Sequence, residues 1–429
     1  MTSLSMRPLA DVSWLPGVAV PTGWQRKRVK HVLRDLRAGE GITAEDIESS
    51  GDYPVYGGNG VRGYTSHYTH SGTFVLIGRQ GALCGNVHLA SGRFWASEHA
   101  MVGAPAIGVD PRWLAYTLRT MNLGQYSVTA AQPGIGVAQV MALDLYAPRP
   151  EEQRAIADFL DEQTSRIDTL INKQTQLIIT LQERRRAAIA HGVTKGLTPG
   201  TKLRPSGLRW AGDVPDTWEV ANIRRYAAMK TGHTPSRSEP AYWIECDIPW
   251  VTLADVGQLR DGRTTYLSSE TQAKISAVGL ANSAAELLPA GTVVLSRTAS
   301  VGFSGIMPVP MATSQDYWNW VCGPRLLPAY LLATFRAMKD EFRSMVMGST
   351  HKTIYQPVAA GMTIVVPPIE EQRAIVAHLN DETSSIDALI DKTEQHIALA
   401  RERRAALIAA AVTGQINVRT AGRATQGVV

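Results

Sequence analysis

Cysteine is scarce: Cys84, Cys246 and Cys322 stand far apart in 429 residues, with no CxxC and no Cys/His ligand spacing. Neither a disulfide framework nor a zinc site is expected, and a reducing, cytoplasmic setting fits. No run of 18 or more apolar residues occurs, so no membrane-spanning helix is expected. The opening MTSLSMRPLADVSW lacks a basic region followed by an apolar run, which argues against secretion. Catalytic signatures are missing too: there is no GxxxxGK[ST], no GxSxG, no HExxH and no DPPY-like tetrapeptide of the methyltransferase kind. GGNGVRG at Gly57 to Gly63 resembles a phosphate-cradling loop, but a β-like YTSHYT follows where a helix would be needed. A tight turn that brings backbone close to a partner is the simpler reading. The chain is therefore expected to be no enzyme and to hold no cofactor or metal of its own.

What is present begins with an ordinary globular composition, 44% hydrophobic, and a net charge of +5 that leans mildly toward polyanions. The dominant feature is a repeat. EEQRAI occurs at Glu151 to Ile156 and again at Glu370 to Ile375, and 24 of 44 positions from Glu151 and Glu370 onward are identical without a gap. Such agreement marks an internal duplication. From Glu151 to about His191 there is no Pro or Gly, and apolar residues recur at helical spacing. Leu160, Ile167, Leu181 and Ala188 share one heptad column and Thr164, Ile171 and Ile178 the next. In the second copy Leu379, Ile386, Ala400 and Leu407 fill the first column, and Thr383, Ile390 and Ile397 the second. Two long helices with matching stripes are expected to pack on each other. Each starts after prolines with a Glu pair that complements the helix dipole, and the first is expected to stop at Gly192.

Upstream of each helix lies a block of about 150 residues, and both blocks open on Val-Pro followed by Trp three residues later, at VPTGW and VPDTW. Beyond that opening they diverge into short β-rich runs cut by Gly turns, so each is expected to be an α+β domain. The division reads 1–150, first block; 151–191, first helix; 192–213, linker; 214–369, second block; 370–415, second helix; 416–429, flexible tail. Loops mixing basic, amide and aromatic residues supply the candidate site: Asn59, Arg62 and Tyr64; Arg79 and Gln80; Arg297, Thr298 and Ser300; His351 and Lys352. Arg and Lys suit guanine edges and phosphates, amides suit adenine edges, and Gly lets a loop enter a groove. Each of these residues taken singly also suits an ordinary solvated loop.

The order of block, PxPEEQRAIxxxLD helix, block and PPIEEQRAIxxxL helix resembles the specificity subunit of a type I restriction-modification enzyme over nearly the whole chain. VPPIEEQRAIVAHLNDETSSIDALI and its twin carry the resemblance, with YPVYGGNGVRGY, GRQGALCGNV, IPWVTLADV and LLPAGTVVLSRTASVG. One departure is APRPEEQ in place of two prolines before the Glu pair. The resemblance implies two target recognition domains in tandem, separated by two helices pairing as an antiparallel coiled coil about a pseudo-two-fold axis. It implies a bipartite site on double-stranded DNA, and as partners two adenine methyltransferase subunits and restriction/translocase subunits, with no membrane. S-adenosylmethionine, ATP and Mg would then sit on the partners. The alternatives left open are a coiled-coil scaffold without a DNA role and an unrecognised enzyme subunit.

Overall fold

The structure, a computed structural model, describes residues 6–7, 12–127, 133–346 and 353–420. The chain divides into two compact units, Met1–Gln174 with Gln395–Val429, and Thr175–Glu394. The long helices, Pro150–Lys195 and Ile369–Val412, each contribute to both units. The fold is thus two α+β blocks with paired long helices, as the duplication implies.

In the first unit a ribbon of Gln25–Arg28 with Asp144–Ala147 leads directly into the first long helix. The main sheet has six strands, in the order Leu33–Ala38, Ala100–Pro105, His70–Gly78, Val87–Ala96, Tyr53–Gly57, Gly60–Thr65. The first four are antiparallel neighbours, and Tyr53–Gly57 joins Val87–Ala96 in parallel. Helix Pro111–Thr120, capped by the Asp110 carboxylate, buries Trp113, Leu114 and Leu118 beside this sheet. Ile156 and Leu160 of the first long helix and Ile408 and Val412 of the second complete the same core. Val418 is buried there as well, and Gln415 donates from Nε2 to the Ala19 carbonyl at 2.5 Å. The segment through Thr420 is therefore packed against the first unit, and residues 421–429 of the expected tail lie outside the described residues.

The second unit repeats the plan. The ribbon Glu219–Asn222 with Thr363–Val366 precedes the second long helix, and a four-stranded antiparallel sheet runs Ala227–Thr231, Tyr317–Cys322, Val293–Ser296, Ser304–Ile306. That order matches the first four strands of the other unit. Helix Pro328–Ala337 matches Pro111–Thr120. The two differ beyond this shared frame: the first adds the Tyr53–Thr65 hairpin to its sheet, whereas the second builds a separate sheet from Ile248–Val251, Ala273–Ile275 and Ala312–Thr313.

Within the second unit Gly192 faces Leu379 and Arg185 meets Asp387, so numbers rise along one helix as they fall along the other. The pair is antiparallel. Leu181, Ile386 and Ile390 are its buried seam, as the heptad columns place them. The expected stop at Gly192 is corrected, since the helix continues to Lys195 and turns off at Gly196 with φ +74°. Gly192 is there for packing. A Cβ at that position would lie 3.2 Å from the Leu379 side chain, so the missing side chain admits the partner helix.

The EEQR motif acquires a physical account that helix-start chemistry alone does not supply. Glu152 accepts a hydrogen bond from the buried Trp24 indole at 3.1 Å, and Glu371 from Trp218 at 2.9 Å. Gln153 donates to the Pro148 carbonyl and accepts from the Asp110 amide; Gln372 donates to Pro367 and Arg325 and accepts from Leu327. Each repeat thus ties its long helix to its own block through the opening tryptophan and a buried amide.

Candidate nucleic-acid interface

In the first unit the strand ending at Gly78 runs into the loop that carries Arg79 and Gln80. The Arg79 amide donates to the His99 carbonyl at 2.9 Å, and its carbonyl accepts from Ile135 at 3.1 Å. Gln80 bridges to Gly134, and the loop closes where the Gly85 amide meets the Gly78 carbonyl at 2.8 Å. Gly85 has φ +84°, and a Cβ there would lie 2.1 Å from the Gly124 nitrogen, so no other residue fits without a backbone shift. With backbone bonds holding both flanks, the Arg79 and Gln80 side chains are exposed.

The hairpin carrying Asn59 and Arg62 comes alongside: Asn59 Oδ1 accepts from Asn86 at 2.7 Å, and Gly57, Gly58, Asn59, Arg62, Gln80 and His99 line one shallow groove of about 460 Å3. Three residues expected from sequence, Asn59, Arg62 and Gln80, therefore meet in space. Tyr64 does not share the groove; it lies farther along its strand, paired to Glu48. His99, at the groove, was not anticipated, because a lone histidine in FWASEHAMVG carries no pattern of its own.

The second unit builds the same loop from different residues. The Arg297 amide donates to the Asp316 carbonyl at 2.9 Å, its carbonyl accepts from Ile354 at 3.0 Å, and Gly302 closes the turn onto Ser296 at 2.9 Å. Thr298 bridges to Thr353, next to the segment containing His351 and Lys352, which lie outside the described residues. Ala299 has φ +57°, strained for a residue with a Cβ, between the half-buried Thr298 and Ser300. Arg297 itself is more constrained than Arg79. Its Nε donates to the Gln315 carbonyl at 2.6 Å and its guanidinium lies 4.2 Å from the centre of the Trp318 ring. Burial holds it below the usual arginine range, against the opposing charge of Asp316. Gln315 and Thr234, bonded at 2.6 Å, also adjoin this loop and went unnoticed because they are distant in sequence.

The arrangement is one backbone frame repeated with two different sets of side chains. It offers hydrogen-bond donors and acceptors at the surface of each unit.

Comparison with known proteins agrees with this geometry. The model of the type I restriction modification DNA specificity domain matches residues 21–179 and 215–398. The EcoprrI specificity subunit of Escherichia coli is 43% identical over 157 residues, 36% of this chain and 38% of that protein. The MjaVIII specificity subunit of Methanocaldococcus jannaschii is 22% identical over 426 residues, spanning 94% and 95% of the two chains. The matches to the first two relatives span less than half of their lengths, 38% and 41%. A structure described as the basis of complex assembly and conformational transition of the type I R-M system shares the fold, with TM-score 0.69 and 17% identity over 92% of this chain and 99% of that one. The HsdS subunit of Thermoanaerobacter tengcongensis aligns with TM-score 0.50 and 17% identity over 93% and 99%. With both repeats matched, the chain belongs to the type I restriction-modification DNA specificity family.

Proposed function

We propose that the chain is the non-catalytic DNA-reading component of a type I restriction-modification complex, and that each unit reads one half of a bipartite site on double-stranded DNA. The first half-site is read from Arg79, Gln80, Asn59 and Arg62. The second is read from the loop of Arg297, Thr298 and Ser300 with His351 and Lys352. The observation that carries the reading is the repeated frame: Arg79 and Arg297 hold the same backbone bonds in two loops whose other side chains differ. A common scaffold with diverged contacts suits two independent half-sites. Two copies of an adenine methyltransferase subunit, one per repeat, are the expected partners, joined by restriction/translocase subunits. S-adenosylmethionine, ATP and Mg belong to those partners, and the setting is the cytoplasm.

The test is duplex binding by the chain together with its methyltransferase, competed by unrelated duplexes at several salt concentrations. Selective binding with no turnover by the chain alone is expected. Unselective binding, or methyl transfer, nuclease or ATPase activity of the pure chain, would overturn the reading.

A further inference from the structure

We infer that the second unit holds a receptor for phosphoryl oxygens, in a cavity of about 240 Å3 bounded by the first long helix, the loop Arg260–Arg263 and the end of helix Pro328–Ala337. Six cationic side chains line it: Arg185, Arg186, Arg260, Arg263, Arg336 and Lys339. Among the described residues five carboxylates act on them: Asp340 on Lys339, Glu394 on Arg263, and Asp261, Asp387 and Asp391. Asp387 is taken up by Arg185 at 3.0 Å and Arg263 at 3.5 Å, Asp391 by Arg263 at 2.5 Å, and Asp261 accepts from its own loop's amides. Arg186, Arg260 and Lys339 make no ion pair among the described residues. Crowding like charges in a concave site is unfavourable unless an anion neutralises them, and guanidinium forks match phosphate geometry.

The duplication provides an internal control. Arg404 and Asp168 occupy the repeat positions of Arg185 and Asp387 and pair in the same way, at 2.9 Å. Arg119 and Arg336 are the penultimate residues of matching helices, and each donates to a backbone carbonyl, of Val87 at 3.0 Å and of Thr264 at 2.7 Å. That arginine core is common scaffold. The excess is not: Ala405 and Asn122 stand in the first unit where the second has Arg186 and Lys339. Arg260 and Arg263 belong to the region where the units diverge. Burial first and the Arg185 charge second push Arg336 down to about 10 against Asp261 and Asp387, and burial followed by the Arg186 charge lowers Lys339 against Asp340. A scaffold need explains the shared arginines, and Asp387 and Asp391 hold Arg263; neither explains the three added cations Arg186, Arg260 and Lys339.

The phosphoryl oxygens have two possible sources, a free polyphosphate such as that of a nucleoside triphosphate, or the backbone of bound duplex. Calorimetric titration of the full chain with inorganic tripolyphosphate, ATP and adenosine reads the first, independently of the DNA-reading role proposed above. The salt dependence of duplex binding reads the second. The variant is Arg186→Gln with Lys339→Gln, two exposed side chains; Arg260→Gln is a second variant should the first fail to fold, and Arg224→Gln is an exposed control in the same unit. A free-polyphosphate receptor gives saturable binding of tripolyphosphate and ATP but not adenosine, weakened at least about tenfold by the double variant and unchanged by the control. A backbone receptor gives no such binding, but a duplex salt slope lowered by about two in the double variant. No polyphosphate binding together with an unchanged slope would overturn the inference.

Discussion

At the scale of single residues, Gln372 shows how little of a site's worth is visible in its letter. The sequence presents it as the third residue of a helix start, and the Glu pair beside it accounts for dipole complementarity. Only the folded chain shows a fully buried amide serving three backbone groups. Gln372→Ala is expected to lower stability by about 2–4 kcal/mol, since each orphaned buried group costs about 1–3 kcal/mol. Equilibrium denaturation checks it, and a loss under 1 kcal/mol would mean that water replaces the amide. The two loop arginines should also part company. Arg79→Ala is expected to weaken selective duplex binding by about 1–3 kcal/mol at unchanged stability. Arg297→Ala should in addition lower the melting temperature, because it removes the stack on Trp318. Sequence could nominate both arginines; it could not rank them, because Trp318 and Gln315 come from another strand and its approach.

Two histidines of the first unit make a pH prediction. His70 and His88 are both held below the usual imidazole range by burial, with Arg119 adding to the effect on His88 and Glu40 opposing it on His70. The unfolded chain titrates near pH 6.5, so between there and the lower folded values it binds more protons than the native state. Stability is therefore fully present above about pH 6.5 and declines as pH falls through the folded values. His88→Gln should flatten the fall of melting temperature between pH 7.5 and pH 5; an equally steep curve would remove His88 from the account.

Among elements, the long helices were the most legible part of the chain, because a heptad stripe states both the helix and the face it buries. Thr164, Leu181, Ile386, Ile390 and Ile397 are buried where the columns put them. Gly192 misled, since a glycine that ends a helix and one that admits a neighbour look alike in sequence. The magnitudes make the difference measurable. Gly192→Ala sets a helix gain of about 1 kcal/mol against a contact that Leu379 can relieve by shifting, and should be nearly neutral. Gly192→Leu overpacks the seam and should cost about 1–3 kcal/mol. A stabilising Leu variant would show that the helices do not close on this residue. The blocks were less legible: short strands cut by glycines predict a β-rich domain, but not that four of them share one order while the rest diverge, because strand order depends on pairing between distant segments.

For the whole molecule, the duplication explains why a chain should carry EEQR twice. Each copy ties one block to its helix through Trp24 and Glu152 or Trp218 and Glu371, so the frame is preserved while the loops are free to change. The surface is the least legible part of the sequence: Asn59, Arg62 and Gln80 line one groove, Tyr64 lies apart, and His99 joins them only through folding. The central claim is that the two blocks are independent readers. The direct measurement is a genome-wide map of methylated adenines in a strain whose chain has residues 24–147 replaced by the corresponding block of a related subunit. The account predicts that one half-site changes while the other half and the unread spacing stay as they were. Change in both halves, or in neither, would contradict it.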